Sequence, residues 1–127
     1  MEMRRINAPE APQPIGCYSQ AAEIEGHKRL LFVSGQIPTD ADGSVPEGFE
    51  AQHGLIWKNI EAQLKAADMT LDNVVKVNAF LSGRKFAMEF RKLRQAVLAG
   101  REPALTCFIT GIFDATWLLE IEVIAAA

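Results

Sequence analysis

Cysteine and histidine are nearly absent from this chain of 127 residues, with two of each. Cys17 and Cys107 stand far apart with no Cys-x-x-Cys pairing, the pattern of free thiols in a reducing compartment rather than of a disulfide framework. His27 and His53 have no third ligand at metal spacing, so no metal site is expected and both histidines read as solvated. Basic excess is also missing: 13 Lys and Arg face 16 Asp and Glu, a formal net charge of -3. Nothing here neutralises a phosphate backbone, so nucleic acid is not an expected partner and a ribonuclease reading finds no support in these residues. Long apolar runs are lacking as well. The N-terminal MEMRRINAPEAPQP holds no apolar core of signal-peptide length, and the most apolar tail, WLLEIEVIAAA, is interrupted by Glu120 and Glu122. Neither a leader nor a membrane span is expected, and the protein reads as cytoplasmic.

What is present is a 49% hydrophobic chain of single-domain size, expected to form one domain over residues 1–127 with residues 1–13 as an extended arm. Cys17 to Ile24 reads as a short strand and Arg29 to Gly35 as a stronger one; the intervening Glu25-Gly26-His27-Lys28 suggests a hairpin between them. PTDADGSVPEG, residues 38–48, is a loop. Phe49, His53, Ile56, Ile60, Leu64 and Ala67 recur at helical spacing, with Glu50, Lys58, Glu61 and Lys65 opposite. VVKVNAFL, residues 74–81, alternates as a strand. A second helix runs from Arg84 to Ala99 on the stripe Phe86, Phe90, Leu93 and Val97, stopped at Gly100. Strands follow at Pro103–Thr110 and Trp117–Ala125. Strand, strand, helix, strand, helix, strand, strand is the order of an α+β layer, two helices on one face of a mixed sheet. Val74, Phe80, Leu118 and Ile124 would leave apolar area on the other face, which predicts self-association.

The segments PIGCYSQA, LFVSGQIPTDADG, NIEAQLKAADMTLDNVVKVNAFLS, PALTC and LLEIEVIA, in that order, together resemble the RidA family, also called the YjgF or endoribonuclease L-PSP family, from near Pro14 to the C-terminus. The resemblance implies a chorismate-mutase-like α+β subunit in a barrel-shaped homotrimer, with small-molecule clefts between subunits. It also implies hydrolysis of 2-imino or enamino acids to 2-oxo acids and ammonia, without metal or organic cofactor. Carried over residue by residue, Tyr18 matches the tyrosine at the cleft mouth, Ser34 and Gly35 the turn whose backbone approaches a ligand, Glu120 the glutamate that holds or activates water, and Cys107 a cysteine of the cleft strand.

Two departures stand out. The family's P-A-R-S-C reads Pro103-Ala104-Leu105-Thr106-Cys107 here, so the carboxylate-gripping arginine is Leu105, and Phe90 falls where a cleft asparagine is usual. A bidentate arginine to carboxylate pair supplies charge and orientation that leucine cannot. Phe90, Leu105, Thr106 and Cys107 therefore join Ser34 and Gly35 as expected lining residues, with Glu120 and Tyr18 as expected catalytic ones. Turnover of 2-iminopropanoate or 2-iminobutanoate is expected to be weak or absent, with altered specificity or a non-catalytic, metabolite-binding role as the alternatives. Arg101, just upstream of the strand, is a candidate to restore the missing charge from a shifted position. Glu120, on an alternating strand, has the competing reading of a solvated charge, and Cys107 that of a small buried hydrophobe.

Overall fold

Between the points where its apolar period changes, the chain forms β1 (Glu2–Ile6), β2 (Ala21–Glu25), β3 (Leu30–Gln36), α1 (Phe49–Ala66), β4 (Val74–Leu81), α2 (Ala87–Leu98), β5 (Ala104–Ile109) and β6 (Leu119–Ala126). This is a computed structural model that describes residues 1–127. The four central strands lie in the order β3-β6-β4-β5; β4 and β5 are parallel and the other pairs antiparallel. The sheet is therefore mixed, and both long helices pack on one face of it.

Alternation decides which side chains meet the helices. Val77, Ala79 and Leu81 of β4 join Leu119, Ile121, Val123 and Ala125 of β6 in a core with Phe49, Ile56, Trp57, Ile60 and Leu64 of α1 and Phe90 and Leu98 of α2. The period-2 pattern of the strands and the three-to-four spacing of the helices thus converge on one interior. Truncating a fully buried member such as Ile60 would cost about 2–5 kcal/mol, because lost burial adds to the cavity left behind.

Several expectations change. Residues 1–13 are not wholly an arm, since Glu2–Ile6 pairs with Ala21–Glu25 as an antiparallel ribbon, with Arg4 bonded to Glu23 across it. The hairpin expected between β2 and β3 does not form: β3 pairs with β6, and β2 with β1. A register irregularity between Val74 and Lys76 turns Val74 inward, where it is 3% exposed in the core. Leu118 also packs against the core, so the apolar part of the outer face is made by Phe32, Phe80, Phe108 and Ile124 instead. His53 is not solvated. It is 1% exposed, accepts a bond from Trp57 Nε1 at 3.1 Å, and burial pulls its imidazole down to a pKa of about 4, so it is neutral at pH 7.

Candidate functional site

On the outer face, away from the helices, β4 and β6 set Phe80 opposite Glu120 and Asn78 opposite Glu122. Asn78 Nδ2 donates to Glu122 Oε1 at 3.0 Å, while the Glu120 carboxylate has no hydrogen-bond partner within the chain. Desolvation, with a smaller contribution from the like charge of Glu122, holds Glu120 above the usual carboxylate range. A free carboxylate of raised pKa at the rim of a depression suits general acid or base work. The depression, of about 200 Å³, is lined by Phe80, Thr110, Gly111, Ile112, Phe113 and Glu120.

Gly35 explains why Glu120 can sit there. The β3–β6 register slips between Val33 and Gln36, leaving Ser34 and Gly35 in an irregular step, and a Cβ at Gly35 would collide with the Glu120 carboxylate. The requirement at Gly35 is for space, so the sequence's SGQ turn and its EIE strand form one local device. Ser34 is exposed beside it. Thr106 belongs to the same outer face, opposite Asn78, and its hydroxyl accepts from Lys76 Nζ at 2.9 Å.

A second group lies elsewhere. Ser19 forms a parallel bridge with Ala104, its N–H donating to the Pro103 carbonyl at 3.0 Å and its hydroxyl to the Glu102 carbonyl at 2.7 Å. This seam lays the Cys17-Tyr18 segment along the edge of β5. Leu105 and Cys107 pair in register with Val77 and Ala79, on the helix-bearing face, and Leu105 packs against the core. Phe90 is deeper than a lining residue: it is 2% exposed, with its ring edge-on to His53 at 5.9 Å. Desolvation raises the Cys107 thiol, and the Arg94 charge pulls it back less strongly, so nothing activates this cysteine as a nucleophile.

Arg94, which the sequence pattern passed over, is the center of this group. Its guanidinium lies 5.7 Å from the center of the Tyr18 ring and 5.4 Å from that of Phe90, within the range of cation–π attraction. The signal was in the sequence: Phe90, Arg94 and Leu98 follow at steps of four and form the buried row of α2. Arg101 does not serve as the displaced arginine, because it is bonded to Asp72 at 2.6 Å and to the Leu98 carbonyl.

Glu120 and Cys107 therefore project from opposite faces of one sheet. A single chain brings Glu120, Gly35 and Ser34 together, and separately Tyr18, Phe90, Leu105 and Cys107, but does not join the two sets.

These features define an α+β domain with a helix-backed mixed sheet and two separated clusters of side chains. Residues 8–127 match the family model described as Endoribonuclease L-PSP, and the chain belongs to that family. It is 40% identical over 94 residues to a RutC family protein of Aquifex aeolicus, covering 73% of this chain and 70% of that protein. With Protein HMF1 of Saccharomyces cerevisiae it shares 33% identity over 117 residues, 91% of this chain and 88% of that one. Among solved structures, YyfB of Yersinia pestis, a protein of unknown function of the conserved Rid protein family, superposes with a TM-score of 0.85 at 26% identity over 100% of both chains. RidA from the Antarctic bacterium Psychrobacter sp. PAMC 21119 gives 0.73 at 29% identity, over 98% of this chain and 99% of that one. The backbone thus follows that Rid protein of unknown function more closely than it follows this RidA.

Proposed function

We propose that the protein is a homotrimer with small-molecule clefts between subunits, acting there as a deaminase-like hydrolase on imine or enamine metabolites with a specificity altered by Leu105. The observation that carries this reading is the split site: the Glu120 cluster and the Tyr18–Cys107 cluster lie on opposite faces of the sheet. Such halves are completed when Glu120 of a neighboring subunit faces Tyr18 and Cys107. The exposed Phe32 and Phe108, at 70% and 58%, supply apolar area for that association.

In the completed cleft, Glu120 takes a proton from water as the water adds to the imine carbon. From the protonated imine this gives a neutral carbinolamine. Glu120 returns its proton to the amine nitrogen, the C–N bond breaks to release ammonia, and the hydroxyl gives up its proton to solvent, leaving the carbonyl product. Its raised pKa keeps Glu120 basic enough to accept that proton, a contribution of about a hundredfold to ten-thousandfold. Tyr18 stands at the mouth, its hydroxyl accepting from the Ile15 N–H at 3.3 Å and its own proton available to a ligand. The test is the decay of 2-iminopropanoate with purified protein. Weak acceleration that is lost in Glu120→Gln supports hydrolysis; no acceleration of this imine excludes the standard substrate, and none of a carboxylate-free imine as well removes the hydrolase reading.

A second reading, a non-catalytic metabolite-binding trimer, is favored by Leu105, whose side chain is spent on the core rather than on a ligand. Silence toward imines, with saturable binding of a small acid, would select it.

A further inference from the structure

Arg94 is 4% exposed, and its Nε and Nη2 are sealed from solvent with no acceptor. Buried polar groups are nearly always bonded, and a guanidinium carries five donors and no acceptor. An unpaired buried charge is therefore a standing cost that calls for a missing partner. The surroundings say what sign that partner has. No Asp or Glu is among the groups acting on Arg94; its charged neighbor is Arg91, with Cys107, Cys17 and Tyr18 beside it. Gly16 closes the enclosure, since a Cβ there would lie 2.9 Å from Arg94 Nη2 and 3.0 Å from Gln95 Nε2.

We propose that Arg94 is the anion anchor of the cleft, binding the carboxylate of a small ligand between Tyr18 and Cys107, so that α2 supplies the charge that Leu105 removes from β5. The inference rests on the cleft proposed above, but not on its chemistry. The two aromatic rings hold the guanidinium in place before the ligand arrives, which limits the ordering cost of binding. Hydrogen bonds to a charged group make the expected preference for a carboxylate about tenfold to a hundredfold.

The test titrates the wild-type protein with pyruvate and with its methyl ester, and repeats both with Arg94→Met and Arg94→Lys, following folding by thermal melting and assembly by sedimentation. Pyruvate should bind wild type at least about tenfold more tightly than the ester. Arg94→Met should lose that preference while melting no lower than wild type, and Arg94→Lys should keep part of it. Equal binding of pyruvate and ester by wild type, or an unchanged preference in Arg94→Met, overturns the proposal. Weakened assembly in Arg94→Met would also overturn it, assigning the guanidinium to an acceptor on a neighboring subunit. If Arg94→Met does not fold, the ester comparison and Arg94→Lys still decide. Imine decay is measured in parallel. Carboxylate-selective binding without decay of either imine sinks the hydrolase reading and spares the anchor; decay with no role for Arg94 does the reverse.

Discussion

At Gly35 the missing methyl group determines where the Glu120 carboxylate stands. Gly35→Ala would push the Glu120 side chain aside, and because its carboxylate is the far end of a flexible chain the fold should tolerate the move. The expected outcome is a melting temperature close to wild type with hydrolysis reduced toward that of Glu120→Gln, checked by melting and imine decay side by side. Gly16 differs, because its φ of +106 strains any other residue and its neighbor is the confined Arg94. Gly16→Ala should cost about 1 kcal/mol or more and disturb carboxylate binding as well. His53 makes a pH prediction. Its folded pKa, about 4, lies below the ordinary 6.5, so the unfolded chain takes up a proton first as pH falls. Stability from this group is complete above pH 6.5 and is lost between 6.5 and about 4, by about 3 kcal/mol. Urea unfolding across that window measures the loss, and an NMR titration showing the ring protonating near 6.5 would contradict it.

Among the elements, α2 ends on Ala99 at φ 49, a left-handed residue with a side chain, before Gly100 at φ 85. Ala99→Gly should stabilize by about 1 kcal/mol, readable as a shift in the denaturation midpoint. The sequence placed the stop at Gly100, one residue late, because glycine marks the left-handed region and alanine does not. Legibility elsewhere followed the same logic. VVKVNAFL alternates without interruption, and β4 was readable to its end residues; α1 and β6 were readable within about a residue or two. The ribbon partner β1, EMRRI, was missed because its charges conceal its one outward-inward alternation. The expected hairpin failed because a turn signal fixes where the chain bends and not which strand pairs next; β3 gains more by pairing with β6, which closes the core. At the candidate site, the family resemblance proposes Glu120, Gly35 and Tyr18, and the structure sets Gly35 directly against the Glu120 carboxylate. Arg94 was not legible, because an arginine on a helix normally reads as solvated and only its place in the Phe90–Leu98 row betrays burial.

For the whole molecule, the proposed assembly rests on the outer face of the sheet. Phe32 and Phe108 are exposed, and Phe108 lies 6.2 Å from Phe80 across β4 and β5. Phe108→Asp should shift the protein toward smaller species in sedimentation, while the helix-side core keeps each subunit folded. The central claim is that a working cleft draws Glu120 from one subunit and Arg94 with Tyr18 from the next. The direct measurement is complementation between Glu120→Gln and Arg94→Met, unfolded together, refolded as mixed trimers and assayed for imine decay. Each variant alone should be impaired, and the mixture should recover a clear fraction of wild-type activity, because some clefts then receive both intact residues. A mixture no more active than the average of the two variants would contradict the account, since a site built within one chain always carries one of the defects.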